Sequence, residues 1–185
     1  MPHFIKSAIT SDGYINDAKN EVCLIGRSNV GKSTLINALA NKKIAFSSKT
    51  PGRTQTINYY DFDLYRLVDL PGYGYAKVSF DKKAVIANLL DNYINNSKNL
   101  FVVLHVCDAN VITTADIKMS QKIQKKFTNY FVVLNKIDKK NINQYKANTN
   151  KYLELFKIKK DQLFFVSAKN KTNIPQLKQQ INELI

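Results

Sequence analysis

The sequence predicts an α/β fold: a doubly wound, mostly parallel six-stranded sheet with one antiparallel edge hairpin and helices on both faces. Three observations carry this. From Glu21 onward, apolar runs of strand length alternate with stretches whose apolar residues recur every three or four positions. Two of the runs, Ile57–Phe62 and Leu64–Asp69, are separated only at Asp61-Phe62-Asp63, so short a connection that the pair must be an antiparallel hairpin. The first run, Glu21–Ile25, leads directly into Gly26-Arg27-Ser28-Asn29-Val30-Gly31-Lys32-Ser33, a GxxxxGKS strand-to-helix turn.

Residues 1–20 are polar and irregular, a lead-in with room for a short strand around Phe4–Ile9, and residues 21–185 are expected to form one domain. The near-continuous apolar character of Glu21–Ile25 fits a parallel strand covered on both faces. A helix from about Lys32 to Leu39 follows, with Leu35, Ile36 and Leu39 on one face. Asn41–Thr56 has no periodicity and carries Lys49-Thr50-Pro51-Gly52-Arg53-Thr54-Gln55-Thr56, a proline-glycine turn rich in hydroxyls that reads as a loop. The second hairpin strand ends in Asp69-Leu70-Pro71-Gly72, followed by Tyr73-Gly74-Tyr75-Ala76. Asp81 is expected to cap a helix reaching about Asn96, with Ile86, Leu89, Leu90 and Tyr93 as its buried stripe. Strand Phe101–Cys107 then leads to a helix over Ala115–Phe127, read from Met119, Ile123 and Phe127. Strand Tyr130–Leu134 ends in Asn135-Lys136-Ile137-Asp138, a helix spans Ile142–Phe156, and strand Leu163–Val166 ends in Ser167-Ala168-Lys169. A terminal helix with Ile174, Leu177, Ile181 and Leu184 closes the fold. Each polar motif follows a strand, and ligands of open α/β sheets bind at that carboxyl edge, so four sequence-distant loops should converge there.

The phosphate loop is legible in physical terms. Its glycines let the backbone curl until successive N–H groups face an anion, with Lys32 reaching the β- and γ-phosphates, the Ser33 hydroxyl on Mg²⁺ and the helix dipole aimed at the same charge. Composition sets the surroundings. No segment has the apolar core of a secretory signal or the length of a membrane span, so a protein of the cytoplasm with no membrane partner is expected. A monomer is the expected state, though nothing in the sequence fixes it. Cys23 and Cys107 read as small buried hydrophobes, and His3 and His105 as terminal and core residues. Lysine and arginine exceed acids by 14, which suits a polyanion such as RNA; a lysine-, asparagine- and isoleucine-rich composition accounts for it equally. The basic clusters are scattered, and none of them names an RNA contact. Of three arginines, Arg27 and Arg53 fall in loops where phosphate chemistry is expected.

The ordered set GxxxxGKS, loop threonine, DxxG, NKxD and SAK resembles the translation-factor-related P-loop GTPases, over nearly all of the chain from Glu21 on. Within them, GRSNVGKS, TPGRTQ and DLPGYGYA are similar to the EngB (YihA/YsxC) group of bacterial GTPases tied to large-ribosomal-subunit assembly. The resemblance implies a P-loop NTPase G domain that binds GTP and GDP, hydrolyses GTP with Mg²⁺ and serves growth, cell division and septation. Its nucleotide-binding set is Gly26, Arg27, Ser28, Asn29, Val30, Gly31, Lys32, Ser33 and Thr34; Gly52, Arg53, Thr54, Gln55 and Thr56; Asp69, Leu70, Pro71 and Gly72; Asn135, Lys136, Ile137 and Asp138; and Ser167, Ala168 and Lys169. Lys32, Thr54, Asn29 and Gly72 are the residues it implicates in catalysis; Ser33 and Thr54 are the metal ligands it implies, with Asp69 holding a metal-bound water and Thr50 and Thr56 as substitutes for Thr54.

Asp138 would accept hydrogen bonds from guanine N1–H and the 2-amino group, which adenine lacks, giving discrimination of roughly 10⁴ or more. Asn135 would brace the loop, the Lys136 stem would cover the ring and the Ala168 N–H would meet the guanine oxygen. Gly72 would bond the γ-phosphate and release with it, making the two loops an order–disorder switch. Tyr73 stands where Ras-type GTPases carry a water-orienting glutamine, which implies slow intrinsic turnover. Two replacements stand open: Asn29 helping to hold a K⁺ ion, and Arg53 as an internal finger. Two other functions are weighed against the ribosomal one: a tRNA-modification type of GTPase, which would want a further domain, and a nucleotide-gated RNA-binding module with incidental hydrolysis.

Overall fold

The structure, a computed structural model, describes residues 1–46, 56–74 and 79–185. Among these residues the strands are β1 (His3–Ala8), β2 (Glu21–Gly26), β3 (Ile57–Asp61), β4 (Arg66–Asp69), β5 (Leu100–Asp108), β6 (Tyr130–Asn135) and β7 (Leu163–Phe165). The helices are α1 (Lys32–Ala40), α2 (Phe80–Asn96), α3 (Thr114–Gln124), α4 (Ile142–Ala147), α5 (Thr149–Phe156) and α6 (Ile174–Leu184). The strands form one seven-stranded sheet in the order β1-β3-β4-β2-β5-β6-β7. The pairs from β4 to β7 are parallel, and β3–β4 and β1–β3 are antiparallel.

The hairpin is therefore present, but it is not the edge of the sheet. β1 pairs outside β3 and raises the strand count from the expected six to seven. It falls where the sequence left room for a short strand around Phe4–Ile9; five of its six residues are exposed, and main-chain pairing with β3 ties it to the sheet. Lys6 and a register shift between Phe4 and Lys6 blunt this outer edge against pairing with another chain.

Strand alternation sorts the interior into two layers. Cys23, Ile25, Val103, Cys107, Val132 and Leu134 pack with Ile86, Leu89, Leu90 and Tyr93 of α2, Ile123 of α3 and Phe156 of α5. Their neighbours Val22, Leu24, Val102, Leu104, Val106 and Val133 point the other way, onto Leu35, Ile36 and Leu39 of α1 and Ile174, Leu177 and Ile181 of α6. Both cysteines are free and buried, as their apolar settings predicted. The start of β2 is tied by Glu21, whose buried carboxylate accepts from Arg66 Nη1 at 3.0 Å, Tyr93 Oη at 2.6 Å and Ser97 Oγ at 2.9 Å.

Three helices differ from expectation. α2 begins at Phe80 behind Ser79, and Asp81 sits in its first turn, where a carboxylate favours the positive end of the helix dipole. α3 ends at Gln124, and its buried residues are Asp116, Ser120 and Ile123, with Met119 and Phe127 only partly covered. The stretch Ile142–Phe156 is two helices divided at Asn148. There the Asn148 amide donates to Gln144 O at 2.7 Å and the Thr149 hydroxyl to Lys146 O at 2.7 Å, side chains competing with the helical ladder for its carbonyls.

Candidate nucleotide-binding site

The carboxyl ends of β2, β4, β6 and β7 bring four motifs to one edge of the sheet. Gly26 ends β2 against β5, where a side-chain carbon would lie 2.3 Å from Val106 O. The loop then turns through two left-handed residues, Asn29 at φ 64° and Gly31 at φ 99°. Gly31 also faces the Asn135 amide, which a Cβ would approach to 2.5 Å, so backbone conformation and space both require glycine. It is the cap of α1, whose first amides have no partner within the helix.

Two other motifs brace this loop from outside. Asn135 Nδ2 donates to Val30 O at 2.9 Å, and Lys136 Nζ donates to Asn29 O at 2.6 Å and Asp108 Oδ2 at 2.9 Å. The amides of Ser28 and Val30 are engaged by the carbonyls of Tyr73 and Arg27, at 3.1 and 3.5 Å. Among the described residues that leaves the amides of Asn29, Gly31, Lys32, Ser33 and Thr34 as the cradle for an anion.

Beside the cradle lies a cavity of about 210 Å³ lined by Gly31, Thr34, Asn135, Lys136, Asp138, Lys139, Ala168 and Lys169. Asp138 is oriented there by Ser167, whose hydroxyl donates to its Oδ1 at 2.6 Å while accepting from Asn170 N–H at 3.1 Å. Ala168 N–H donates to Asn135 Oδ1 at 3.0 Å, so a base oxygen arriving at this amide must share the donor. Ile137 is buried in the core, and its side chain serves the fold rather than the cavity.

At the phosphate end, Asp69 closes β4 with 6% of its surface exposed. Among the described residues its Oδ1 accepts no hydrogen bond, and the Lys32 ammonium stands 3.8 Å away. Burial pushes the Asp69 carboxyl above its usual range, against the opposing pull of Lys32. A desolvated carboxylate oxygen beside Lys32-Ser33, with no hydrogen bond of its own, fits a hydrated divalent cation held by few protein ligands. Leu70 is buried and bonds Leu24 O through its amide at 3.1 Å, Pro71 has no amide to donate, and Gly72 packs so closely that a Cβ would sit 3.0 Å from Ser28 N.

The side chains of two expected residues turn elsewhere. The Arg27 guanidinium, expected at the phosphates, runs instead to Asp116 of α3, Nε reaching its oxygens at 2.9 and 3.0 Å, and to Val111 O at 2.5 Å. A fully buried carboxylate is a stronger attractor than a solvated site, so only the Arg27 main chain stays with the loop. Tyr73 is buried with its hydroxyl 3.0 Å from Asp116 Oδ1 and 2.6 Å from His105 Nε2, facing the core and not the phosphate site. Thr56 donates to Asn58 Oδ1 at 3.2 Å, the behaviour of a turn-stabilising hydroxyl. Thr50, Gly52, Arg53, Thr54 and Gln55, with Tyr75 and Ala76, lie outside the described residues.

Sequence reasoning missed Asp116 and the part His105 plays as a hub. The readable sign was local: Thr113 and Asp116 form a reciprocal capping box, with Thr113 N–H and Oγ1 donating to Asp116 Oδ2 at 2.8 and 2.9 Å.

Comparison with known proteins agrees with this geometry. A family model described as 50S ribosome-binding GTPase matches residues 21–136. A protein of Malacoplasma penetrans named "Probable GTP-binding protein EngB" is 51% identical over the whole of both chains. One of the same name from Mycoplasmoides gallisepticum is 48% identical, again over the whole of both. The crystal structure of a probable GTP-binding protein engB superposes with a TM-score of 0.73 at 28% identity, covering 89% of this chain and 97% of that one. Aquifex aeolicus Era, at 22% identity and a TM-score of 0.72 over 89% of this chain and 56% of its own, shares the fold. With its phosphate loop, DxxG and NKxD motifs gathered at one sheet edge, and with full-length relatives at about half identity, the chain belongs to the EngB family of P-loop GTPases.

Proposed function

We propose that this chain is a slow GTP-hydrolysing switch of the cytoplasm, monomeric, that acts on the large ribosomal subunit and its RNA during assembly and thereby supports growth, cell division and septation. The observation that carries the nucleotide part is the pairing of Asp138, oriented by Ser167 in a cavity beside the cradle, with Asp69 Oδ1 left unsatisfied beside Lys32. The ribosomal part is supported by family membership and by a net charge of +14.

Asp138 selects guanine by accepting its N1–H and 2-amino hydrogens, and Asn135 and Lys136 hold the cradle at the spacing the phosphates need. Lys32 and the amides of Asn29, Gly31 and Ser33 bind the β- and γ-phosphates, and Gly72 offers its N–H to the γ-phosphate. Ser33, Thr54 and Asp69 are the residues that would hold Mg²⁺. When bound, the ion supplies charge neutralisation of the phosphates. Tyr73, with its hydroxyl turned into the core, orients no attacking water, which supports slow intrinsic turnover. Asn29 is exposed at the loop's outer turn, where its side chain is free to join in holding K⁺; Arg53 is the rival source of charge.

The test is phosphate release from Mg²⁺-GTP with and without purified large subunits, alongside co-sedimentation in GTP and in GDP across a salt series. Stimulation by the subunit, association in GTP only, and a steep loss of association with salt are expected. Association without any stimulation would identify a nucleotide-gated binding module instead.

A further inference from the structure

A largely buried polar chain lies beneath α3, its side chains turned away from the base cavity and from the cradle amides. Arg27, Tyr73, His105, Asp116 and Tyr130 are joined by hydrogen bonds of 2.6–3.0 Å, and Asp116 is fully buried. His105, Cys107 and Asp116 lie close enough together to suggest a metal site. Both imidazole nitrogens are engaged by tyrosine hydroxyls, and both Asp116 oxygens already accept from Arg27, Tyr73 and Thr113. The cluster is a hydrogen-bond hub.

We infer that Asp116 is a positioning residue for GTP hydrolysis, a single carboxylate that clamps the loop leaving Gly72 to the phosphate loop, through Tyr73 on one side and Arg27 on the other. The inference rests on the GTPase reading of the site.

The hydrogen bonds have one consistent direction. A carboxylate only accepts, so Tyr73 must donate to Asp116, and its oxygen must then accept from His105 Nε2–H. Burial holds the His105 pKa down to about 4, so the ring is neutral, and Nδ1 is left to accept from Tyr130. The polar order runs Tyr130 to His105 to Tyr73 to Asp116, and it breaks wherever a hydroxyl or the carboxylate is removed. Apolar side chains would fill this space equally well; what the carboxylate adds is a fixed direction for Arg27 and Tyr73.

The same two residues meet through their backbones. Arg27 and Tyr73 form a parallel bridge, with Ser28 N–H on Tyr73 O at 3.1 Å and Tyr73 N–H on Gly26 O at 3.3 Å. The segment from Asp69 is therefore pinned at both ends, by β4 pairing at one and by the bridge and clamp at the other, with Gly72 pressed on Ser28 between them. On the GTPase reading Gly72 serves the γ-phosphate, the group that GTP carries and GDP lacks. Loosening the clamp should weigh on steps that involve the triphosphate and spare those that involve GDP.

The experiment compares the parent protein with Tyr73→Phe, Arg27→Gln and the double variant, reading kcat and KM for Mg²⁺-GTP and the Kd of GDP and of a non-hydrolysable GTP analogue. Loss of the Asp116 contact from either side should lower kcat about tenfold and weaken the analogue, with the GDP Kd within about twofold of the parent. The double variant should fall little further than either single one, because both act through one carboxylate. Equal weakening of GDP and analogue, or a lower melting temperature with kcat unchanged, would reduce the cluster to a structural core and overturn the clamp. If Tyr73→Phe does not fold, Arg27→Gln, which leaves the Tyr73 ring packed, decides alone. A parent that releases no phosphate would overturn the GTPase reading, while the ratio of analogue to GDP affinity still tests the clamp.

Discussion

Asp138 is held by a single side-chain donor, Ser167 Oγ at 2.6 Å, and lies exposed at the rim of the base cavity. A carboxylate so placed is ready to accept from a base without breaking any contact that stabilises the fold. Asp138→Ala should therefore weaken GDP about 100-fold or more by calorimetry, with an unchanged unfolding midpoint. Asp69 is the opposite case: its Oδ1 is buried and accepts no hydrogen bond among the described residues, so the carboxylate weighs against the stability of the fold. Asp69→Asn should leave the nucleotide-free protein as stable as the parent in urea while abolishing the Mg²⁺ dependence of GTP binding. His105 makes a third kind of residue, polar and wholly committed to the interior. Its pKa of 6.5 is held down to about 4 by burial. Above pH 6.5 the ring is neutral in both folded and unfolded chains and the full stability is present. As pH falls from 6.5 towards 4, the unfolded chain takes up a proton that the folded chain does not, and about 3 kcal/mol is lost. Urea midpoints at pH 7 and 4.5 should show this fall in the parent and a smaller one in His105→Gln.

Single side chains act here through the elements that carry them. α3 presents Asp116 because its first turn is fixed by the Thr113 capping box, so the helix start and the clamp share one carboxylate. Thr113→Ala should cost about 1 kcal/mol of stability in urea, the usual value of a lost cap. The loop between β2 and α1 depends in the same way on Gly31, whose left-handed conformation and 2.5 Å clearance from the Asn135 amide admit no side chain. The capping box was there to be read, as Thr113-Thr114-Ala115-Asp116, yet its carboxylate points into the core. Periodicity favoured Met119 and Phe127 for that face, and the structure buries Asp116 and Ser120 instead. Hydrophobicity ranks side chains by their cost in an apolar medium, and a polar group that finds Arg27 and Tyr73 no longer has that cost.

In the molecule as a whole, the parallel order from β4 to β7 and the convergence of loops at its carboxyl edge followed from alternating periods and one short hairpin connection. Turn chemistry marked the phosphate loop, DxxG and NKxD because glycine, proline and asparagine declare backbone conformations locally. The outer strand β1 showed in the sequence only as room for a short strand around Phe4–Ile9, with nothing to say where it pairs. Its residues are exposed, and what holds it is pairing with β3, some fifty residues away in the chain. Directions of side chains were equally hidden. Arg27 lies in a phosphate loop by sequence, and only the arrival of the first turn of α3 beside that loop offers it Asp116; Tyr73 follows DxxG, and only the β5 alternation that places His105 beneath it draws its hydroxyl inward. The sequence alone determined the order of elements, the motifs and the family, because each depends on residues near one another in the chain. Tertiary structure alone decided which polar groups face the nucleotide and which face the core, because a buried charge goes where a distant partner compensates its desolvation.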